Sequence, residues 1–426
     1  MVIFYYKMKQ TIKTAPPEAI DSKAAAKRLL IAVLLMTLGT SSMYAVAVFL
    51  PAVQAEFQVS RSAVSLPYTY MMLGLGLGSI LMGKLTDRFG VSNALLLGAV
   101  CVGMGYVSSG FAPNIIWFGI FHGLLLGFFG ASATFAPLMS DTSMWWSKYR
   151  GIAVGVCSSG NYLAGTIWPP IVQYGIDHIG WRNTYISMGI VCGTGMFLLA
   201  LLLRVRPPLA PAANISVNTT LNRERPFNLS LNFAQTLLCI AGVGCCVAMS
   251  MPQVHIVAYC NDLGFNAARG AEMLSLMLAC GVASRLISGV ICDRIGGLKT
   301  LLLGSVLQGI ALLLFLPFDS LISLYIIAAL FGLFQGGIIP AYAIIVREYF
   351  PIHELSKRVG LCIMATMIGM ALGGWLSGKV FDLTGSYHAS FINGILWNLL
   401  NIVIVSSLLY RANKANTSKL LQPNPA

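Results

Sequence analysis

Twelve apolar runs separated by short polar connections organise the chain. They lie at about 29–50, 64–82, 93–111, 115–138, 152–176, 183–203, 231–256, 270–291, 298–316, 320–345, 359–381 and 389–410. Each has roughly the ~20 residues a helix needs to cross a hydrocarbon core ~30 Å thick. The first run, Leu29–Leu50, is too long for the core of a signal peptide and reads as a retained helix. Twelve spans put both chain termini on the same side of the bilayer.

Composition agrees with the pattern. The 426 residues are 57% hydrophobic and only 10% charged, with a mean hydropathy of +0.78. A soluble domain has no use for so much apolar surface, so this is an all-α, polytopic membrane protein. The net charge of +13 would raise nucleic acid as a partner if the basic residues were clustered on one surface, but their placement follows the spans. Arg61, Arg182, Arg269 and Lys379 fall at one face, Arg285 falls inside a span, and all the other Lys and Arg lie in the tails or in connections at the opposite face. By the positive-inside rule that basic face is cytoplasmic, which excludes nucleic acid and predicts cytoplasmic termini in a plasma membrane, or the inner membrane of a bacterium. The ten cysteines show neither CxxC nor metal-ligand spacing, so no metal site is expected.

The predicted organisation is a basic tail (1–28), a six-helix half (29–203), a cytoplasmic linker (204–230), a second six-helix half (231–410) and a short tail (411–426). The halves read as repeats. GKLTDRFG at Gly83–Gly90 returns 206 residues later as GVICDRIG at Gly289–Gly296. Gly127 and Pro137 compare with Gly332 and Pro340, and Gly155, Asp177 and Gly180 return as Gly360, Asp382 and Gly385. Parallel six-helix repeats are the organisation of transporters that rock two bundles about a midplane site.

One residue carries the candidate chemistry. Arg285 lies inside the eighth span, eight residues before Asp293, about 12 Å in from the boundary that the Asp-Arg pair marks. A cation at that depth costs at least about 2.5–3.5 kcal/mol and is too far from the interface to snorkel comfortably. Its repeat counterpart is Ser79, so the charge belongs to one half alone. Guanidinium binds carboxylate through two parallel hydrogen bonds, which points to an anionic ligand.

At these motifs the chain resembles the major facilitator superfamily from 29 to 410. GKLTDRFG is similar to the superfamily's signature between its second and third helices. The closest likeness is to monocarboxylate porters and oxalate–formate-type exchangers. It rests on FLPAVQAEF and SRSAVS at 49–65, WWSKYRGIAVG at 145–155, GWR at 180–182, VHIVAYCNDLG at 254–264, RLISG at 285–289 and GWLSGKVFDLTGSYHASF at 374–391. The resemblance implies twelve transmembrane helices in two pseudo-symmetric halves, and a carboxylate held by Arg285 with Gly289 four residues on. Two departures stand out. Gly281 occupies the position of an aspartate in the eukaryotic porters, and Leu29–Leu50 has no lysine. Lys379 lies in the eleventh span but off the lysine position of the oxalate exchangers.

Other candidates complete the expected site. Tyr44, Tyr70, Asn161 and Gln335 are polar or aromatic positions within spans and are assigned with Arg285 to substrate binding. His255 and Lys379 are assigned to an outer gate or proton relay. Gly83, Asp87, Arg88, Gly90, Gly289, Asp293, Arg294 and Gly296 are assigned to conformational gating at the cytoplasmic rim. GLGLG within 74–78 is embedded in an apolar span with no strand beside it, so no nucleotide and no cofactor are expected. None of the fourteen acidic residues falls near a midplane, where proton-coupled carriers usually keep a carboxylate relay. The reading is a monomeric secondary transporter of a small mono- or dicarboxylate, with anion exchange preferred. Proton-coupled monocarboxylate symport and efflux of unrelated small molecules are the alternatives. An enzyme is not expected, because no nucleophile–base or metal constellation accompanies His122 or His255.

Overall fold

The structure, a computed structural model, describes residues 15–207, 226–351 and 354–420. Most of the connection expected at 204–230, the first residues of the basic tail and the last of the C-terminal tail lie outside them. Among the described residues there are fifteen α-helices. In the first part of the chain they are α1 (Lys23–Gly39), α2 (Ser41–Phe57), α3 (Arg61–Phe89), α4 (Val91–Gly110), α5 (Ile115–Ile120), α6 (Ser132–Thr134), α7 (Ala136–Trp145) and α8 (Arg150–Leu201). The second part holds α9 (Leu231–Asp262), α10 (Ala267–Ile295), α11 (Gly297–Leu314), α12 (Leu321–Gln335), α13 (Ile338–Tyr349), α14 (Leu355–Thr384) and α15 (Tyr387–Leu420). Several begin where a short polar side chain accepts from otherwise unbonded amides: Ser22 before α1, Asn114 before α5, Ser230 before α9, Asn266 before α10 and Ser320 before α12.

Among the described residues, eleven helical stretches are long and apolar enough to cross a membrane. One of them contains two of the expected spans. α8 runs 52 residues, about 78 Å at helical rise and more than twice a bilayer core. Gly180 interrupts it at φ 76 and ψ 161, a conformation that costs glycine little and other residues much. At the start of the chain, helix begins at Lys23, so the end of the expected tail is already helical and Arg28 is buried. The first apolar stretch extends to Phe57, with a break at Thr40.

The chain divides into two compact units, Met1–Val59 with Leu66–Asn214, and Ser60–Ser65 with Ile215–Ala426. The repeat seen in the motifs is also a repeat of geometry. Gly90 has φ 88 and ψ 157, and Gly296 has φ 83 and ψ 164. In the first unit, a Cβ on Gly127 would stand 2.5 Å from the Met71 carbonyl oxygen. At the matching positions of the second, a Cβ on Gly332 would stand 1.9 Å from the Met277 carbonyl oxygen. The same close approach of two backbones is therefore built twice.

Both units also break the same helix. In the first, the apolar stretch Ile115–Trp145 passes through a π-helical segment, Phe121–Ala131, and is offset at Phe135 before Pro137. In the second, α12 stops at Gln335 and α13 restarts at Ile338. A proline follows each interruption, and it has no N–H to give the carbonyl four residues back. Pro137 leaves the Ala133 carbonyl without that bond, and Pro340 leaves the Gly336 carbonyl without it.

Candidate functional site

The break between α12 and α13 is where the candidate chemistry gathers in the second unit. Arg285, on α10, is 9% exposed and its Nε donates to the Gly336 carbonyl at 3.4 Å. That carbonyl is the one Pro340 cannot serve, so Arg285 supplies the donor that a regular helix would have supplied. α10 can come this close because Gly336 faces Gly281 and Ser284: a Cβ on Gly336 would lie 2.5 Å from the Gly281 carbonyl oxygen. That contact runs through the backbone carbonyl of residue 281, the position that the porter resemblance marked as a departure.

Gln335 is the last residue of α12 and fully buried. Its Oε1 accepts from Gln253 Nε2 at 3.0 Å. Gln253 follows Pro252 inside α9 and is also buried. The second amide oxygen, Gln253 Oε1, and the second amide nitrogen, Gln335 Nε2, find no partner among the described residues. Three helices, α9, α10 and α12, thus bring Gln253, Arg285 and Gln335 to one break. Sequence reading assigned Arg285 and Gln335 to the site; Gln253 is added by the structure.

The other expected ligands lie in the first unit. Tyr44 on α2 donates through its hydroxyl to Asn161 Oδ1 on α8 at 2.7 Å, so this pair is brought together. Tyr70 is 41% exposed and its ring lies where a Cβ on Gly119 would meet it at 3.0 Å. The structure does not join Tyr70 to Tyr44 or Asn161.

His255 is fully buried. Its Nε2 donates to the Gly374 carbonyl at 2.8 Å, and its Nδ1 lies 3.0 Å from the Tyr387 hydroxyl. The carbonyl fixes the tautomer, so Nδ1 accepts from the tyrosine. Lys379 on α14 is exposed, and both ring nitrogens of His255 are engaged elsewhere. Near the histidine, the Arg61 guanidinium binds both oxygens of Asp262, and the Arg61 and Ser62 amides donate to Asp382. This cluster belongs to the second unit, because Ser60–Ser65 is grouped with it. The sequence placed Arg61 at the face opposite the basic connections but did not foresee that its side chain binds Asp262 and its amide Asp382.

At the expected gate, Asp87 and Arg88 end α3 with exposed side chains, and Arg294 is exposed near the end of α10. The side chain of Asp293 lies outside what is described. Gly83 and Gly289 have no atom within 4 Å of a built Cβ. Arg206 Nη2 donates to the Arg88 carbonyl at 3.3 Å. In the second unit, Glu348 accepts from the Gly297 amide with both carboxylate oxygens at 3.1 Å, which places an acid at the positive end of α11. Sequence reading gave Glu348 no role, although its position beside the basic connections was visible.

The largest omission is a buried ion pair. Arg28 on α1 binds Asp141 on α7 through Nε at 2.7 Å and Nη2 at 3.0 Å. Arg28 also donates to the Leu203 carbonyl and lies 4.6 Å from the centre of the Trp145 ring. Sequence reading placed Arg28 in the basic tail and kept Asp141, with the other acids, away from the midplane. Among the described residues, no group of three or more His, Cys, Asp or Glu is placed to hold a metal ion.

Comparison with known proteins now identifies the class. The sequence profile of the Major Facilitator Superfamily matches residues 29–297 and again 236–423. The chain is 28% identical to monocarboxylate transporter 13 of Bos taurus over 325 residues, which cover 74% of this chain and 73% of the relative. It is 24% identical to the uncharacterized MFS-type transporter YcxA of Bacillus subtilis, covering 78% of this chain and 82% of that one. Among solved structures, a point mutant of the nucleoside transporter NupG superposes with a TM-score of 0.67 at 13% identity, covering 91% of this chain and 98% of that one. A bacterial homolog of the human lysosomal transporter Spinster, inward-facing and unoccupied, gives a TM-score of 0.64 at 14% identity, covering 95% and 100%. This chain is a multi-pass membrane transporter that belongs to the major facilitator superfamily.

Proposed function

We propose that this transporter moves a small organic mono- or dicarboxylate by alternating access, and that Arg285 holds the carboxylate. The observation that carries the reading is the placement of Arg285 against the α12–α13 break. A guanidinium donating through Nε to a backbone carbonyl is oriented at one edge, and an oriented fork is the geometry carboxylate requires. Broken helices are also where carriers of this kind build substrate sites, because backbone groups released from the helix can take part in binding. Relatives named as monocarboxylate transporters support the substrate class.

Anion exchange is the mode we favour. Glu56, Asp87, Asp262, Glu348 and Asp382 all lie within three residues of a helix end, and Asp141 is committed to Arg28. His255, the other candidate for a proton relay, is buried with both ring nitrogens engaged. The Asp87–Arg88 and Asp293–Arg294 segments are assigned to conformational control, with both termini on the cytoplasmic face. An impermeant thiol reagent that labelled an Asn218→Cys variant from outside intact cells would refute that orientation.

The test of the central assignment is uptake of labelled carboxylates into proteoliposomes. Wild type should show saturable uptake that depends on carboxylate preloaded inside, and Arg285→Ala should abolish it while the protein remains folded. Unchanged uptake by Arg285→Ala would refute the assignment. Uptake into empty vesicles driven by a pH gradient would replace exchange with symport.

A further inference from the structure

The proposed carboxylate site has a neighbour whose chemistry is half used. The Gln253–Gln335 pair makes one amide–amide hydrogen bond at 3.0 Å. One acceptor, Gln253 Oε1, and one donor, Gln335 Nε2, remain buried without a partner among the described residues. Either orientation of each amide leaves the same remainder, since a single amide–amide bond uses one donor and one acceptor. The hydroxyl of Ser284, beside Arg285 and packed against Gly336, is likewise buried without a partner. Native interiors seldom leave such groups unsatisfied, and two glutamines meeting at a helix break could be replaced by leucine and methionine at no cost in packing volume.

We propose that the Gln253–Gln335 pair is a second recognition point of the same site. It holds a neutral group that both donates and accepts one hydrogen bond, so the substrate is a monocarboxylate carrying a hydroxyl or primary amide on its chain. The inference rests on the carboxylate reading of Arg285. A hydroxyl satisfies the pair fully: its proton goes to the free amide oxygen and its lone pair accepts from the free amide nitrogen. A methyl group in its place leaves both buried groups unmet. A second carboxylate would set an acceptor against the amide oxygen, so a dicarboxylate is disfavoured at this point. The pair therefore sets specificity, while Arg285 sets charge.

The experiment measures binding of carboxylate pairs to purified full-length protein. Each pair is a hydroxycarboxylate, with its hydroxyl at C2, C3 or C4, and the isostere with methyl in place of hydroxyl. Wild type should prefer the hydroxyl member by about tenfold at one chain position. The double variant Gln253→Leu/Gln335→Leu, which removes both amides together, should still bind the methyl member and lose the preference. Gln335→Met alone, which keeps the chain length, should lose it too and serves if the double variant fails to fold. Arg285→Ala should lose both members of every pair. If wild type shows no preference at any position, or either glutamine variant keeps it, the recognition point is overturned and Arg285 stands. If Arg285→Ala binds both members like wild type, the carboxylate reading is overturned as well.

Discussion

The two units treat a buried arginine in different ways, and the difference separates architecture from chemistry. In the first, Arg28 is held bidentately by Asp141 and capped by the Trp145 ring. In the second, Arg285 reaches a backbone carbonyl at a helix break. Position 79, the repeat counterpart of Arg285, shows how far the scaffold alone goes. Ser79 bonds back to the Leu75 carbonyl of its own helix at 2.7 Å, whereas Arg285 crosses from α10 to Gly336. The close backbone contact, the glycine turn and the proline-broken helix are shared. The cation and the glutamine pair are not. A repeated fold thus supplies two similar frames, and the proposed ligand chemistry is placed in only one.

The largest expected effect is on the first frame. Asp141→Ala leaves Arg28 buried without its carboxylate and should cost about 3–5 kcal/mol of stability, while the paired replacement Arg28→Met/Asp141→Leu should recover most of it. Thermal melts in detergent measure both. If Asp141→Ala melts like wild type, the two units do not differ in the way described. Next comes ligand binding. Arg285→Ala should weaken carboxylate binding by about a hundredfold, the scale for losing one partner of a desolvated charge-assisted pair. Ser79→Ala should leave binding unchanged, and a comparable loss there would spread the site over both frames.

The frame was more legible than the chemistry. Apolar runs marked the membrane-crossing stretches, eleven of them among the described residues, and Gly90 and Gly296, which recur 206 residues apart, both take nearly equal positive φ. Gly127 with Gly332, and Pro137 with Pro340, recur where the structure breaks the two helices, although the apolar runs at 115–138 and 320–345 read as continuous spans. These features depend on local residue type, which a sequence displays. Partner choice depends on distance in space. Arg28 and Asp141 are 113 positions apart, and Arg61 and Asp382 are 321 apart. Their shared signal was only that opposite charges fall at the same end of apolar spans. Gln253 was hidden for the same reason, since one polar residue in an apolar helix does not name its partner. Arg285 was visible because its cost is local: a cation deep in an apolar run has to be accounted for wherever it points.

The next effect compares the two close backbone approaches directly. Gly332→Ala sets a Cβ 1.9 Å from the Met277 carbonyl oxygen, and Gly127→Ala sets one 2.5 Å from that of Met71. Neither neighbour is a flexible side chain, so backbone must move in both, at about 1–3 kcal/mol for ordinary overpacking. Gly332→Ala should be the more destabilised of the two. It should also weaken carboxylate binding, because α12 would be pushed from α10 and the Gly336 carbonyl from Arg285. Equal melting temperatures with intact binding would mean that the two frames tolerate displacement alike and that Arg285 is not positioned by the break.

The smallest effect concerns the two buried histidines, which the units hold in mirrored fashion. His122 donates from Nδ1 to the Phe118 carbonyl at 2.8 Å and accepts at Nε2 from the Tyr185 hydroxyl, 3.0 Å away. His255 donates from Nε2 to the Gly374 carbonyl at 2.8 Å and accepts at Nδ1 from the Tyr387 hydroxyl, also 3.0 Å away. Each is a ring fixed between a carbonyl and a tyrosine, and each is fully buried. Structurally the two are held alike, so His122→Phe and His255→Phe should each lose about 1 kcal/mol of stability, the lower end of the cost of leaving a buried tyrosine hydroxyl without its partner. The proton-relay role assigned to His255 by its sequence position makes a different demand: only His255→Phe would remove the response of uptake to an imposed pH gradient. Because anion exchange through Arg285 needs no titrating partner, the pH response should be weak in wild type and stay so in both variants. A strong response lost in His255→Phe alone would make the second unit's histidine part of the transport chemistry, and would convert the mode from exchange to proton symport.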